Sequence, residues 1–158
     1  MSLARRSAIA ILLISVAGTA WTAPRSSVAA RRADAAVDAA VSAADRKAIE
    51  KVIRDQLDAF GHDDARRAFA HASPDIQRTF RTPGNFMRMV HDNYQPVYRA
   101  DSVRFIRLEL VDKQWMQTIQ LVDEEGHVWR ALFTMKRLSG RTWKVGGCQL
   151  VPTSAITT

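Results

Sequence analysis

Hydrophobic residues recur at intervals of three and four positions over residues 42–60, in the stretch SAADRKAIEKVIRDQLDAF. This spacing places them along one face of a helix. The apolar positions on that face are Ile49, Val52, Ile53, Leu57 and Phe60. Ser42 is suited to cap the helix, Asp45 is its capping-box partner three residues later, and Gly61 is suited to end it. The pattern predicts one long amphipathic helix.

Shorter helices are predicted from there to residue 92. The stretch HDDARRAFAHA begins with Asp63 and Asp64, either of which can cap a short helix. The stretches SPDIQRTF and TPGNFMRMV open with Ser73 and Thr82, each followed directly by proline. A hydroxyl residue before proline is typical of an N-cap followed by the first helical position.

The hydrophobic period changes from about 3.6 to two after residue 101, which is typical of strands. Four segments alternate in this way: SVRFIRLELV, QWMQTIQLVD, HVWRALFTMKRL and TWKVGGCQLVP. Their connections, DK, EEG and SGR, are short enough to require antiparallel hairpins. The chain therefore predicts an α+β fold, with N-terminal helices packed on one face of a curved four-stranded antiparallel sheet.

Alternation along the strands assigns side chains to the two faces of the sheet. The face toward the helices is expected to carry Trp115, Gln117, Ile119 and Leu121, then His127, Trp129, Ala131, Phe133 and Met135. The outer face is expected to carry Met116, Val122, Val128 and Leu132 among polar residues. A half-apolar face of this kind is often covered by a second copy, so it is a candidate homodimer interface.

The last strand contains Cys148, the single cysteine of the chain. Gly146 and Gly147 predict a β-bulge, which adds one residue and returns Cys148 to the inward face of Trp143. No helix N-terminus or neighbouring histidine would activate the thiol there. We therefore expect a buried, unmodified cysteine, and one cysteine excludes an internal disulfide.

The N-terminal segment has the organisation of a signal peptide: the basic start MSLARR, the apolar run SAIAILLISVAGTA, then small residues. Cleavage fits after Ala20, with Ala30 as the alternative. The apolar run is short for a bilayer span, so we expect no stable membrane span after cleavage. The expected organisation is a signal peptide over 1–20 (cleavage as late as 30), a linker over 21–41, a single α+β domain over 42–153 and a tail over 154–158. The protein is expected to be bacterial and periplasmic or secreted.

The distribution of charge and the spacing of the histidines argue against several classes of function. The net charge of +7 falls to +5 when cleavage removes Arg5 and Arg6, and the remaining basic residues are dispersed as on a solvated surface. Nucleic-acid binding would need exposed aromatic residues among them, whereas the tryptophans of the strands are assigned inward. The four histidines form no metal-binding pair such as His-x-x-x-His. We expect no nucleic acid, metal or cofactor.

The stretches ASPDIQRTF and FMRMVHDNYQPVYRADSVRF, followed by VWRALFTM and WKVGGCQLVP, resemble a bacterial family known as a domain of unknown function. The resemblance runs from about Ala44 to Pro152. The order of helices and strands is similar to the nuclear-transport-factor-2-like superfamily, which includes SnoaL-type cyclases and ketosteroid isomerases. That resemblance implies a cone-shaped domain with a pocket at its open end. It implies no activity, because the fold hosts enzymes, binding proteins and assembly modules.

The inward aromatic residues favour a pocket for a small apolar or amphipathic ligand, or for a partner protein, without catalysis. The candidate pocket residues are Tyr94, Tyr98, Trp115, Gln117, His127, Trp129, Phe133 and Cys148. One alternative is a SnoaL-like isomerase, hydratase or cyclase, which would need an acid or base inside the cone. Another is a homodimeric assembly module whose aromatic residues fill the core. The residues do not decide whether the protein is an enzyme, and no catalytic residue is assigned.

Overall fold

The computed structural model describes residues 41–139 and 142–153. The predicted signal peptide, nearly all of the linker and the tail over 154–158 lie outside these residues. The helices of the described region are α1 (Ala43–Gly61), α2 (Ala65–Ala70), α3 (Pro74–Phe80), α4 (Pro83–Asn93) and α5 (Gln95–Tyr98). None of these helices combines the length and the apolar character that crossing a bilayer requires.

Helix α1 forms as the apolar spacing predicts, and it buries Ile49, Ile53 and Phe60. At its start the Asp45 backbone N–H donates to Ser42 Oγ at 3.1 Å. The Ser42 hydroxyl in turn donates to the Asp45 carboxylate at 2.8 Å. The predicted cap and its partner are therefore confirmed, and they satisfy polar groups that the first turn leaves unpaired.

Helices α2, α3 and α4 begin at the predicted residues, whereas α5 lies beyond residue 92, where the predicted helical region ended. Asp64 Oδ1 accepts from the Arg67 backbone N–H at 3.0 Å, and Thr82 Oγ1 accepts from the Asn85 N–H at 3.2 Å. Ser73 occupies the N-cap position of α3, but its side chain makes no capping bond. Within the described residues its buried hydroxyl has no hydrogen-bond partner.

The strands are β1 (Ala100–Val111), β2 (Gln114–Asp123), β3 (Val128–Arg137) and β4 (Trp143–Pro152). They pair antiparallel with their sequence neighbours, in the order β1-β2-β3-β4. The predicted α+β class and meander are confirmed. The sheet is open, because β1 and β4 lie at opposite ends of that order.

The first hairpin has a tight turn and two register shifts, the first of which lies between Ala100 and Ser102 at the start of β1. Its turn residues, Asp112 and Lys113, have φ angles of 47° and 65°, the left-handed pair that a two-residue hairpin turn of type I′ requires. Within β1 the register shifts between Phe105 and Arg107, so Ile106 is the extra residue of a β-bulge. Ile106 is 47% exposed.

The predicted faces of the sheet are largely confirmed. Ile119, Leu121, Ala131, Phe133 and Met135 are buried toward the helices. On the outer face Val122 pairs with Val128, and Leu132 pairs with Thr118. The inward assignment of His127 is wrong, because β3 begins at Val128 and His127 lies in the preceding turn, with its side chain 65% exposed.

A bulge in β4 sits where the helices meet the sheet. Thr134 pairs with Gly147 and Met135 with Val145, so Gly146 is the extra residue, as the paired glycines predict. A Cβ at Gly146 would lie 2.9 Å from Cγ of Lys136, which crosses over it. The outer edge of β4 pairs with the segment 71–73, because Val145 N–H donates to the His71 carbonyl at 2.9 Å and Ser73 N–H donates to the Val145 carbonyl at 2.8 Å.

Trp143 ties the start of α1 to the sheet. The indole is buried, and its Nε1 donates to Asp45 Oδ1 at 3.1 Å. The Arg137 guanidinium lies 3.7 Å from the same carboxylate and 5.7 Å from the Trp143 ring centroid. The carboxylate at the helix start therefore also accepts a hydrogen bond from the last strand.

We expect Trp143→Phe to lower the free energy of unfolding by about 2–4 kcal/mol, since it removes buried ring area and the donor to Asp45. Trp129→Phe is a matched control, because Trp129 Nε1 also donates to a carboxylate, that of Asp123, from a half-buried site. It should cost about 1 kcal/mol. Denaturant unfolding measures both, and equal losses would contradict the anchoring role of Trp143.

Candidate functional site

A cavity of about 270 Å³ lies between the short helices and the bulged end of β3 and β4. Its floor consists of buried side chains: Gln56, Phe60, Phe86, Val90, Val97, Phe133 and Val145. Its rim consists of half-buried residues: Ile76, Phe80, Met89, Tyr94, Gly146, Gly147 and Cys148. The cavity is therefore closed at the core and open toward solvent between α4 and β4.

The helical wall is built around Phe86. Its ring centroid lies 5.9 Å from that of Phe60, 5.6 Å from Phe69 and 5.7 Å from Phe80. Thr82 and the proline after it start α4 so that Phe86, Met89 and Val90 fall three and four residues apart on one face. Separations of this size suit tilted and edge-to-face aromatic packing, which holds the wall in place.

The sheet wall depends on the β4 bulge. Cys148 pairs with Phe133 and returns to the inward face after the extra residue, as predicted. Cys148 is half-buried on the cavity rim rather than fully buried as expected. Burial raises the pKa of the Cys148 thiol to about 12, so the group stays protonated at neutral pH. It acts there as a small apolar wall residue with a weak S–H donor.

Three of the predicted pocket residues line this cavity: Tyr94, Phe133 and Cys148. Tyr94 ends α4 and stands on the rim, and its hydroxyl has no hydrogen-bond partner within the described part of the chain. Phe133 is 1% exposed at the centre of the floor. The remaining predicted residues have other neighbours.

Tyr98 is buried outside the cavity, in a cluster that joins the end of α1 to α5. Its hydroxyl donates to Asp63 Oδ1, and the guanidinium of Arg99 donates to both oxygens of that carboxylate, at 2.9 and 3.0 Å. Arg99 also donates to the Phe60 carbonyl at 2.8 Å, and its cation stands 4.1 Å from the Tyr98 ring centroid. Asp63 has a φ of 57°, so the cluster stabilises a left-handed turn at a residue other than glycine.

Gln117 is buried because it compensates the bulge in β1. Its amide nitrogen donates to the carbonyls of Arg107 and Thr118, each at 3.0 Å. These residues pair directly after the register shift, where the regular ladder is interrupted. A buried amide at this point supplies donors that the bulge removes, which is a structural role.

The two tryptophans of the predicted pocket, Trp115 and Trp129, are half-buried and pack on the core outside the cavity. Trp129 donates to Asp123, whose other oxygen accepts from the backbone N–H groups of Glu125 and His127 at 3.1 and 2.8 Å. The carboxylate of Asp123 therefore orders the turn between β2 and β3. Burial alone would raise the pKa of Asp123, but the hydrogen bond from Trp129, the backbone N–H of His127 and the His127 side chain together lower that pKa.

The helical aromatic residues of the wall were not predicted as a site. The periodic stretch TPGNFMRMV carried the signal, since it puts Phe86, Met89 and Val90 on one face. Nothing in that local pattern distinguishes a face that fills the core from one that walls a cavity. The position of the β4 bulge, which lies far away in sequence, makes the difference.

A family model described as a domain of unknown function, DUF4864, matches residues 42–158. The chain belongs to this family. No curated protein and no solved structure matches the chain. The predicted membership of a family of unknown function is thus confirmed, and the likeness to the nuclear-transport-factor-2-like superfamily stays a prediction. The DUF4864 match begins at Ser42, the cap of α1, and includes every helix and strand described above.

In the described part of this DUF4864 domain, one group of three side chains has ligand atoms close enough to hold a metal ion: Asp123, Glu125 and His127. His127 Nδ1 lies 3.3 Å from a carboxylate oxygen of each acid. The oxygens of Asp123 already accept bonds from the turn and from Trp129. These contacts explain the group as a turn held together by its own side chains.

We expect native Cys148 to react with an aromatic disulfide reagent about a thousandfold more slowly than the unfolded chain at neutral pH, because a pKa near 12 leaves little thiolate. Absorbance of the released thiolate gives the rate. The double variant Cys148→Ala, Gln149→Cys moves the thiol to the exposed neighbouring position and should react at an ordinary rate. Fast reaction of the native chain would show that the thiol is activated.

A second prediction concerns the stability of the fold at low pH, which depends on Asp63. The hydrogen bond from Tyr98, followed by that from Arg99, holds the pKa of Asp63 below 3.8. A carboxyl with a lowered folded-state pKa stabilises the fold above its unfolded value, and that contribution is lost as the pH falls through the folded value. The difference in unfolding free energy between wild type and Asp63→Asn should therefore be constant near neutral pH and shrink below 3.8. Tyr98→Phe should show a smaller acid effect than wild type, and an unchanged profile in both variants would contradict the assignment.

Proposed function

We propose that this domain is an exported binding protein that holds a small apolar or amphipathic molecule, or an apolar side chain of a partner protein, in the cavity without chemistry of its own. The cavity itself carries the proposal. Empty apolar cavities of about 150 Å³ already admit benzene, and pockets for drug-sized ligands begin near 300 Å³. A volume of about 270 Å³ therefore suits one or two rings or a short acyl chain.

The chemistry of the lining favours an uncharged guest. Among the described residues that line the cavity, none is an aspartate, glutamate, histidine, lysine or arginine. A charged group placed on the floor would lose its hydration without gaining a partner, which is costly. The hydroxyl of Tyr94, which has no hydrogen-bond partner among the described residues, stands on the rim and is available for a polar end of the ligand. We therefore propose that the apolar part lies on Phe86 and Phe133 and any polar end points to the mouth.

The same lining argues against the alternative of an acid–base enzyme. Isomerases and hydratases of the proposed superfamily need an acid or base within reach of the substrate. The carboxylate of Asp63 does not line the cavity, and its oxygens are bound by Tyr98 and Arg99. Gln56 is the polar side chain on the floor, and its amide nitrogen donates to the Ala68 carbonyl at 3.0 Å.

The superfamily assignment is part of the proposal. Helices followed by an antiparallel sheet, with the cavity between them, agree with a nuclear-transport-factor-2-like domain that has an open four-stranded sheet. The homodimer predicted through Met116, Val122, Val128 and Leu132 stays a prediction and is not part of this proposal. These side chains are half-buried, apart from Val128, which is 39% exposed.

Titration with 1-naphthol, a neutral two-ring probe, tests the proposal, with 1-naphthoate as its charged counterpart. We expect saturable binding of one naphthol per chain, followed by fluorescence, and binding of naphthoate that is weaker by more than about tenfold. Native mass spectrometry of protein purified from its own envelope should show a co-purified small molecule.

Met89→Trp should weaken naphthol binding more than about tenfold, because the larger ring extends from the rim into the space. Met116→Trp is the matched control, since Met116 lies half-buried on the outer face of the sheet, and its affinity should equal that of wild type. Equal affinity in the Met89 variant, or no saturable binding at all, would overturn the cavity as a ligand site.

A further inference from the structure

The two edge strands of the sheet, β1 and β4, differ in whether their outer edges are paired. The outer edge of β4 pairs with the segment 71–73. Strand β1 pairs with β2, and no segment within 41–139 or 142–153 pairs with its other edge. This edge belongs to a strand of twelve residues and carries exposed apolar side chains: Ile106 at 47%, Leu110 at 39% and Val111 at 39%. Long, exposed, apolar edges readily pair with another strand.

The sequence of this edge is self-complementary when it is read in the opposite direction. In RFIRLELVD, residues 104–112, positive charges precede Leu108 and negative charges follow it. Arg107 and Glu109 flank Leu108 directly, and exposed Ile106 and Leu110 stand one residue further out. An antiparallel pair of identical strands related by a two-fold axis through Leu108 therefore brings each Arg107 opposite a Glu109 of the other copy.

The faces of the strand agree with this pairing. Arg107 pairs with Thr118 and Glu109 with Met116, so both charged side chains lie on the outer face of the sheet. Within one chain they already form an ion pair, with 3.1 Å between Arg107 Nη2 and Glu109 Oε2. Directly opposite side chains on paired strands lie about 5 Å apart, so two copies would join their ion pairs into a ring of four alternating charges.

We propose that a second copy of this chain pairs with the free edge of β1, so that the sheets of two domains join into one sheet of eight strands. The pairing is centred on Leu108. Because the two-fold axis places Val111 of one copy opposite Phe105 of the other, the bulge at Ile106 limits regular pairing to residues 107–109 of each copy. The charge pattern favours this partner over an unrelated peptide, because the strand supplies its own complement. The proposal is independent of the cavity, which lies at the β3–β4 end of the sheet.

Sedimentation equilibrium of the mature domain over a wide concentration range tests the pairing. We expect a reversible dimer. Glu109→Arg and Arg107→Glu each place like charges opposite each other and should weaken the dimer more than about tenfold. The double variant Arg107→Glu, Glu109→Arg exchanges the two charges, and it should restore the affinity to within about threefold of wild type. Circular dichroism and thermal unfolding of each variant control for folding.

Leu132→Arg separates this interface from the outer face of the sheet. Leu132 lies on that face in β3, and β2 separates it from β1, so the variant should dimerise like wild type. Hydrogen exchange of the amides over 107–109 should slow as the protein concentration rises. A chain that is monomeric at every concentration would overturn the proposal. So would a dimer that Leu132→Arg breaks and Glu109→Arg leaves intact, which would place the interface on the outer face.

Discussion

Two backbone hydrogen bonds connect the helical half of the chain to the edge of the sheet, and the geometry of the cavity depends on them. They join Val145 of β4 to His71 and Ser73, at 2.9 and 2.8 Å. The segment between α2 and α3 is thereby held as a short strand-like contact. Helix α3 starts immediately after it, so the direction of α3 is set by its attachment to β4. Side chains strengthen the same junction, since Lys136 pairs with Asp75 and Lys144 donates to the Ala70 carbonyl at 2.6 Å.

The bulge at Gly146 lies directly beside this junction, and the two features need each other. A regular β4 would keep its alternation, so Cys148 and Val145 would point to opposite faces. The extra residue lets both face the helices and bends the strand locally. The close approach of Lys136 to Gly146 leaves no room for a Cβ unless the lysine moves, and moving it would disturb the contact with Asp75. Gly146 therefore supports both the bend and the junction.

Local periodicity was sufficient to predict most of the fold. The spacing of Ile49, Ile53 and Phe60 gave helix α1, and the proline-marked caps gave the starts of α3 and α4. Alternation gave each strand to within two residues at either end, and the glycine pair gave the bulge. These features depend on a few neighbouring residues, so a single sequence contains the information. The least local prediction that was correct is that the bulge returns Cys148 to the inward face of the sheet.

The candidate site was predicted less well, because a cavity forms where packing between distant segments is incomplete. Phe133 was found from strand alternation, and Cys148 from alternation together with the bulge predicted at Gly146 and Gly147. Trp115 and Trp129 were expected on the wall, but the inward face of a sheet is longer than the region that the short helices cover. Gln117 looked like a pocket residue because it is polar on an apolar face. The reason for its burial is the β1 bulge at Ile106, whose sequence has no glycine to mark it.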